Sequence, residues 1–183
     1  KHRGQRIRAV GSLHSWSDSI LGDDVLLDLR RLNDVQLQPD GDQFVATVGA
    51  GCQIKRLLKE LARAGATLHS HGLITEQTIA GAISTGTHGS GRHSMSHYVE
   101  EVQLARYDDS TGQAIIEVIS AGEQLRAARC SLGSLGIILS VKLRCRAQYN
   151  VQEHFTESRR LTDVLDAESS FPLQQFYLIP WRW

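Results

Sequence analysis

Gln77-Thr-Ile-Ala-Gly-Ala-Ile-Ser-Thr-Gly-Thr-His-Gly-Ser-Gly91 is the stretch on which the reading of this chain turns. It lies in a segment from Leu68 to Ser94 that is punctuated by Gly72, Gly81, Gly86, Gly89 and Gly91. Only residues 78–84 of it have the make-up of a short helix, one covered in small side chains. A backbone this bare lets another group approach it closely. From Ser84 onward, glycines are interleaved with hydroxyl side chains around His88, a composition that suits a phosphate or a ring edge and equally describes a flexible loop.

Two other segments share this character. Val10-Gly-Ser-Leu-His-Ser-Trp-Ser-Asp18 follows a short apolar strand, residues 7–10, and its glycine and serines expose N–H groups and hydroxyls of the kind that form an anion-binding nest. A plain polar loop with a surface histidine is the alternative. Ser131-Leu-Gly-Ser-Leu-Gly136 is a second small-residue knot ahead of a strand. None of these, nor Gly49-Ala-Gly51, makes a dinucleotide fingerprint, because no G-x-G-x-x-G opens a helix after a strand with an acidic residue about 20 positions on. A P-loop is also absent, so a nucleotide site here would be of another kind.

Around these loops the pattern is α+β. Strands are expected at 7–10, 25–29 and 44–48, the last with Val45 and Thr47 on one face and Ala46 and Val48 on the other. Ile54, Leu57, Leu58, Leu61 and Ala62 form one apolar helical stripe, stopped by Gly65. Val102, Leu104 and Arg106 alternate into the turn cluster 108–112, and 115–119 runs back as a hairpin. A short helix at 123–129 precedes a long half-buried strand, with Ile137, Leu139, Val141, Leu143 and Cys145 on one face and Ser140, Lys142, Arg144 and Arg146 on the other. Beyond Gln148 a further strand, a helix over 158–167 and an apolar segment, 171–183, are expected.

Charge and composition narrow the function. Twenty basic side chains balance twenty acidic ones in 183 residues, with eight histidines apart. That balance argues against a nucleic-acid binder and against a polybasic membrane contact. No apolar run approaches the roughly 20 residues of a spanning helix. Three cysteines, Cys52, Cys130 and Cys145, lack metal-ligand spacing and suggest a reduced protein, with the cytoplasm as the expected location. No signal-peptide pattern precedes the first strand, and both ends look cut, so a longer protein is expected. His93 and His97 have the i, i+4 spacing of a zinc pair, but the neighbouring glycines disfavour a helix and no H-E-x-x-H glutamate accompanies them; no metal is expected. There is no G-x-S-x-G elbow, and Cys52 at a helix start reads as packing rather than as a nucleophile.

Taken together, residues 6–18, 77–91 and 130–138 resemble the three FAD-binding segments of the vanillyl-alcohol-oxidase (PCMH-type) flavoproteins, and within them the aldonolactone and alditol oxidases. The resemblance covers roughly Arg6 to Arg146. It implies a PCMH-type FAD-binding domain of two α/β subdomains over residues 1–147, truncated at its start, and the beginning of a C-terminal substrate domain over 148–183. FAD is the implied cofactor. By resemblance, Gly11, Ser12, Leu13, His14 and Ser15 wrap the pyrophosphate, and His14 stands where many members attach the flavin covalently. Gly86, Thr87, His88, Gly89 and Ser90, with Ile83 nearby, would lie along the ribityl and isoalloxazine region. Ser131, Gly133, Gly136 and Ile138 would close over the adenine half. The implied activity is oxidation of a CH–OH group in a sugar lactone or polyol by hydride transfer to flavin N5, with dioxygen giving hydrogen peroxide. A dehydrogenase of the same fold and a non-catalytic flavin-binding or interaction module are the alternatives. The family's catalytic groups lie mostly in the substrate domain, so this stretch alone is expected to be inactive; its oligomeric state is left open.

Overall fold

The computed structural model describes residues 4–22, 24–90, 93–171 and 173–181. Gly91, at the end of the stretch quoted first, and the last two residues of the C-terminal apolar segment, Arg182 and Trp183, lie outside them.

The described residues form two sheets. In the smaller, β1 (Ile7–Val10) pairs in parallel with β2 (Val25–Asp28), Ile7 opposite Val25 and Val10 opposite Asp28. The larger has six strands, all antiparallel: β3 (Val35–Asp40), β4 (Gln43–Gly49), β5 (Ala66–Leu68), β6 (Val99–Tyr107), β7 (Ala114–Ile119) and β8 (Ile137–Ala147). Their order is β3-β4-β8-β6-β7, and β5 joins the far end of β8. Helices α1 (Ile54–Arg63), α2 (Ile79–Ser84) and α3 (Gly122–Arg129) close the core. Ile54, Leu57 and Leu61 of α1 pack in one buried cluster with Val48, Val141, Leu143, Ile79, Ile83 and Met95. The α+β class matches the reading of the sequence. No helix among the described residues is long and apolar enough to cross a membrane.

Several elements depart from the pattern. Ala62, placed on the apolar stripe of α1, is exposed, because the stripe narrows at its C-terminal turn. In β8 the expected alternation fails at its start: Gln103 faces Ser140 but Leu104 faces Ile138, so Leu139 is an extra residue in the ladder. Such a bulge shifts the side chains before it by one position. Ile138, not Leu139, therefore joins Val141, Leu143 and Cys145 in the core. β3 and β5 carry no strong signal, and they form because β4 and β8 offer them open edges. The strand expected after Gln148 is absent; residues 148–160 hold no regular element, α4 (Leu161–Asp166) is shorter than expected, and no strand forms in the described part of 171–181.

Gly49-Ala-Gly51, read from sequence as a strand break, is a junction. The Gly49 N–H donates to the Asp34 carbonyl (2.9 Å), Gly51 to Leu32 (2.8 Å) and Ala50 to Leu139 (2.9 Å). The Ala50 carbonyl accepts from Ala80 (3.1 Å), that of Cys52 from Ile79 (2.8 Å), and Ile54 donates to Gln77 (2.9 Å). One short segment thus ties the chain leaving the small sheet, the bulge of β8 and the start of α2. A Cβ at Gly51 would run into the Leu29 carbonyl, and one at Gly49 would lie 2.6 Å from that of Leu32.

Three histidines and Tyr98 form a cluster of rings. His69 lies on Tyr98 at 4.4 Å between centroids and His93 on His97 at 4.0 Å, with His97 edge-on to Tyr98 at 5.2 Å. Loss of hydration lowers the pKa of His69, with Arg146 and Arg144 adding to the effect, and His69 Nε2 is buried without a partner among the described residues. Loss of hydration, then His93, Arg129 and Arg144, lowers that of His97.

Two outcomes follow from this packing. Gly51→Ala should cost about 3 kcal/mol in urea unfolding, since the backbone of Leu29 and Arg30 must move. Because His69 and His97 bind protons less readily when folded, their contribution to stability is present above pH 6.5, the ordinary histidine value, and is lost as pH falls below it. His69→Phe, which keeps a stacked ring and removes the proton site, should flatten the decline in Tm measured between neutral and mildly acidic pH.

Candidate functional site

A cleft of about 740 Å³ opens between the small sheet, α2 and the ends of β6 and β8. Small-molecule sites commonly span about 300–1,000 Å³. One wall is β1 and the loop after it, Gly11 to Trp16; a second is one face of α2 and its flanks, between Gln77 and Thr85; a third runs from Leu132 to Ile138, with Ala105, Arg106 and Tyr107 of β6 beside it. The three small-residue segments, far apart in sequence, therefore meet.

Their contacts explain why they are bare. A Cβ at Gly11 would overlap the Thr78 hydroxyl, so the first loop packs against α2 only through glycine. The Gln53 side-chain amide donates to Ser12 Oγ (3.2 Å) and to the Glu76 carbonyl (3.1 Å), which fixes the loop to the strap before α2. On the third wall the Leu132 N–H donates to the Ser84 carbonyl (3.2 Å), and the Ser134 hydroxyl to that of Ser131 (2.7 Å). Gly136 sits at φ 147° where a Cβ would lie 2.7 Å from the Ala105 carbonyl. Two non-glycine residues also adopt the left-handed region, Leu13 (φ 57°) and Leu132 (φ 52°), and both line the cleft with largely exposed side chains. Such conformations cost about 1–2 kcal/mol each and concentrate at binding sites. Trp16 stands fully exposed at the rim.

Gly11, Ser12, Leu13, His14, Ser15, Gly133, Gly136 and Ile138 all line the cleft. Ser131 lies just outside it, and Ile83, on α2, is fully buried in the core. The loop of Gly86, Thr87, His88, Gly89 and Ser90 does not line the cleft; it turns toward residues 70–72, where the Gly89 N–H donates to Ser70 Oγ (3.1 Å) and Thr87 sits against Gly72. Sequence reasoning missed Arg8, Trp16, Thr78 and Leu135 as individual site residues, although all lie in the quoted segments. It also missed Ala105, Arg106 and Tyr107, whose strand pattern carries no sign that a ligand cleft abuts them.

The chemistry of the walls is that of a binding site. No aspartate or glutamate lines the cleft among the described residues, and the hydroxyls of Ser12, Ser15, Thr78, Thr85 and Ser134 do. No cluster of three His, Cys, Asp or Glu side chains among the described residues could hold a metal ion. At Cys52 and Cys145 thiol chemistry is disfavoured: burial raises the Cys52 pKa and pushes that of Cys145 up to about 12. For Cys52, the loss of hydration outweighs any help from the start of α1. All three thiols are free, and Cys130 alone is exposed.

Comparison with known proteins sets these features in a family. The FAD binding domain family model matches residues 1–115. A long-chain alcohol oxidase from an uncultured marine euryarchaeote is 81% identical over the whole of this chain and 38% of its own length. An L-gulono-1,4-lactone dehydrogenase of Mycobacterium tuberculosis is 33% identical over 98% of this chain and 42% of its own. The chain thus spans about two fifths of the length of these relatives. Among solved structures, cholesterol oxidase from Brevibacterium sterolicum shares the fold with a TM-score of 0.69 at 20% identity, over 78% of this chain and 30% of that one. The bare loops, the hydroxyls and the lack of carboxylates among the described lining residues suit a flat ligand with a diphosphate, which is the character of FAD. The chain belongs to the FAD binding domain family, of the PCMH-type flavoproteins that its three small-residue segments resemble, and its cofactor is FAD.

Proposed function

We propose that this chain is the cofactor-holding part of a flavin-dependent oxidoreductase that oxidises a CH–OH group of a sugar-derived lactone or polyol, with dioxygen as acceptor and hydrogen peroxide as product. The observation that carries this reading is the meeting of the three small-residue segments in one cleft whose walls, among the described residues, carry no carboxylate. The gulonolactone dehydrogenase relative supports a lactone donor, and it equally supports an acceptor other than dioxygen. The euryarchaeal relative supports a second donor class, long-chain alcohols, with dioxygen retained. Residues 1–147 would form the FAD domain and 148–183 the start of a substrate domain. The end of regular packing at β8 and the exposed Phe155, Phe176, Tyr177, Leu178 and Trp181 beyond it support that division.

FAD, when bound, supplies a two-electron acceptor for the hydride of the alcohol carbon. The chain's own residues bind and orient. Gly11, Ser12, Leu13 and Ser15 would hold the diphosphate, with Gln53 fixing the Ser12 hydroxyl. Ser131, Gly133, Gly136 and Ile138 would close on the adenine half. Gly86, Thr87, His88, Gly89 and Ser90, continuous with Thr85 at the cleft edge and backed by Ile83, would meet the ribityl and ring end. The exposed His14 imidazole at the cleft would carry the covalent link to the flavin. Groups that grip the donor and take its hydroxyl proton would lie beyond this chain. It should therefore bind flavin and produce no peroxide from xylitol, sorbitol, aldonolactones or long-chain alcohols; peroxide from the chain alone would refute that division of labour.

Purified chain loaded with FAD should be yellow, and acid precipitation should keep the colour in the pellet. His14→Ala should send the colour to the supernatant, and colour that stays with the pellet would remove His14 from this role. A chain that FAD cannot turn yellow would overturn the functional reading. Gln53→Ala should weaken FAD binding about 3- to 10-fold in a fluorescence titration, the size of one lost hydrogen bond.

A further inference from the structure

The charge of the cleft does not follow the neutral balance of the chain. Among the described residues, the only formally charged side chains on its walls are Arg8 and Arg106, and no carboxylate opposes them there. Arg106 is already engaged, its Nε donating to Glu117 at 2.5 Å and its guanidinium 3.8 Å from Asp109. Arg8 has no acidic partner among the described residues, and its side chain is exposed. It stands on β1 three residues before Gly11, in register with Leu26, and the Gly22 backbone leaves room for its stem: a Cβ there would lie 3.0 Å from Arg8 Cγ. A cation with its stem seated and, among the described residues, no acid beside its head or elsewhere on the walls of its cleft is arranged for an anionic ligand.

We propose that Arg8 is a positioning residue that supplies the counter-charge for a diphosphate in this cleft, so that the nucleoside diphosphate half of the cofactor is held by one guanidinium as well as by backbone and hydroxyls. This rests on the assignment of FAD to the cleft. It goes beyond that assignment by predicting that affinity is split: the phosphate-bearing part of the ligand depends on Arg8 and the ring part does not.

Equilibrium titrations of the apo chain with FAD, ADP and riboflavin test it, in a His14→Ala background so that no covalent link forms. Arg8→Gln should weaken FAD and ADP together by about 10- to 100-fold, as loss of a charge-assisted bond does, and leave riboflavin unchanged. Arg8→Lys, which keeps the charge, should recover most of the loss. Raising the salt concentration should weaken FAD binding in the parent and much less in Arg8→Gln. Arg8 is exposed, so its variants should melt within a few degrees of the parent. FAD binding by Arg8→Gln within twofold of the parent would overturn the proposal, as would an equal loss for riboflavin, which would mark Arg8 as shaping the cleft. A parent chain that binds riboflavin and FAD alike would also contradict it, while one that binds neither would fail the cofactor assignment itself.

Discussion

Everything in this molecule that matters for a ligand hangs on the backbone of residues 49–54. Six main-chain hydrogen bonds leave it in three directions: to 32–34 below the small sheet, to Leu139 at the bulge of β8, and to 77–80 at the start of α2. Each direction leads to one wall of the cleft. The junction works because Gly49 and Gly51 have no side chains, which allows backbone to lie against backbone. Buried peptide groups need partners, and here each takes its partner from a different wall. The position of the three walls is thus a matter of main-chain pairing and depends little on which side chains line them.

The consequence for binding is a division between scaffold and recognition. The scaffold is apolar and continuous, with α1 and the buried faces of β4, β6 and β8 behind the cleft. Recognition is left to short loops that carry glycine, hydroxyls and two leucines in left-handed conformation. Loops of this kind, held on a rigid frame, are where proteins place function. Net charge of zero over the chain conceals a cleft whose described walls carry charge of one sign, while acids elsewhere sit in pairs such as Glu101 with Lys142 and Glu100 with Arg144.

Much of this was legible in the sequence where a residue pattern answers to local physics. The stripe of α1 and the stop at Gly65 came through, since a helix face and a left-handed residue (φ 69°) leave direct marks. The bulge at Leu139 did not, because alternation alone looks the same with or without one extra residue. β3 and β5 were invisible for a related reason: their pairing is decided by partners distant in the chain. In the cleft, loops of unusual composition were readable, whereas Ala105, Arg106 and Tyr107 belong to the wall only through β6–β8 pairing. The loop at Gly86–Ser90 was legible by composition, whereas its contacts to Ser70 and Gly72 come from tertiary packing that composition does not mark.

Hydrogen exchange of the chain with and without FAD tests most directly the claim that three distant segments form one cofactor cleft. Added FAD should slow exchange together in residues 7–16, 77–85 and 132–138, with residues 148–181 unchanged. Protection confined to one of those segments, or centred on another part of the chain, would contradict the account.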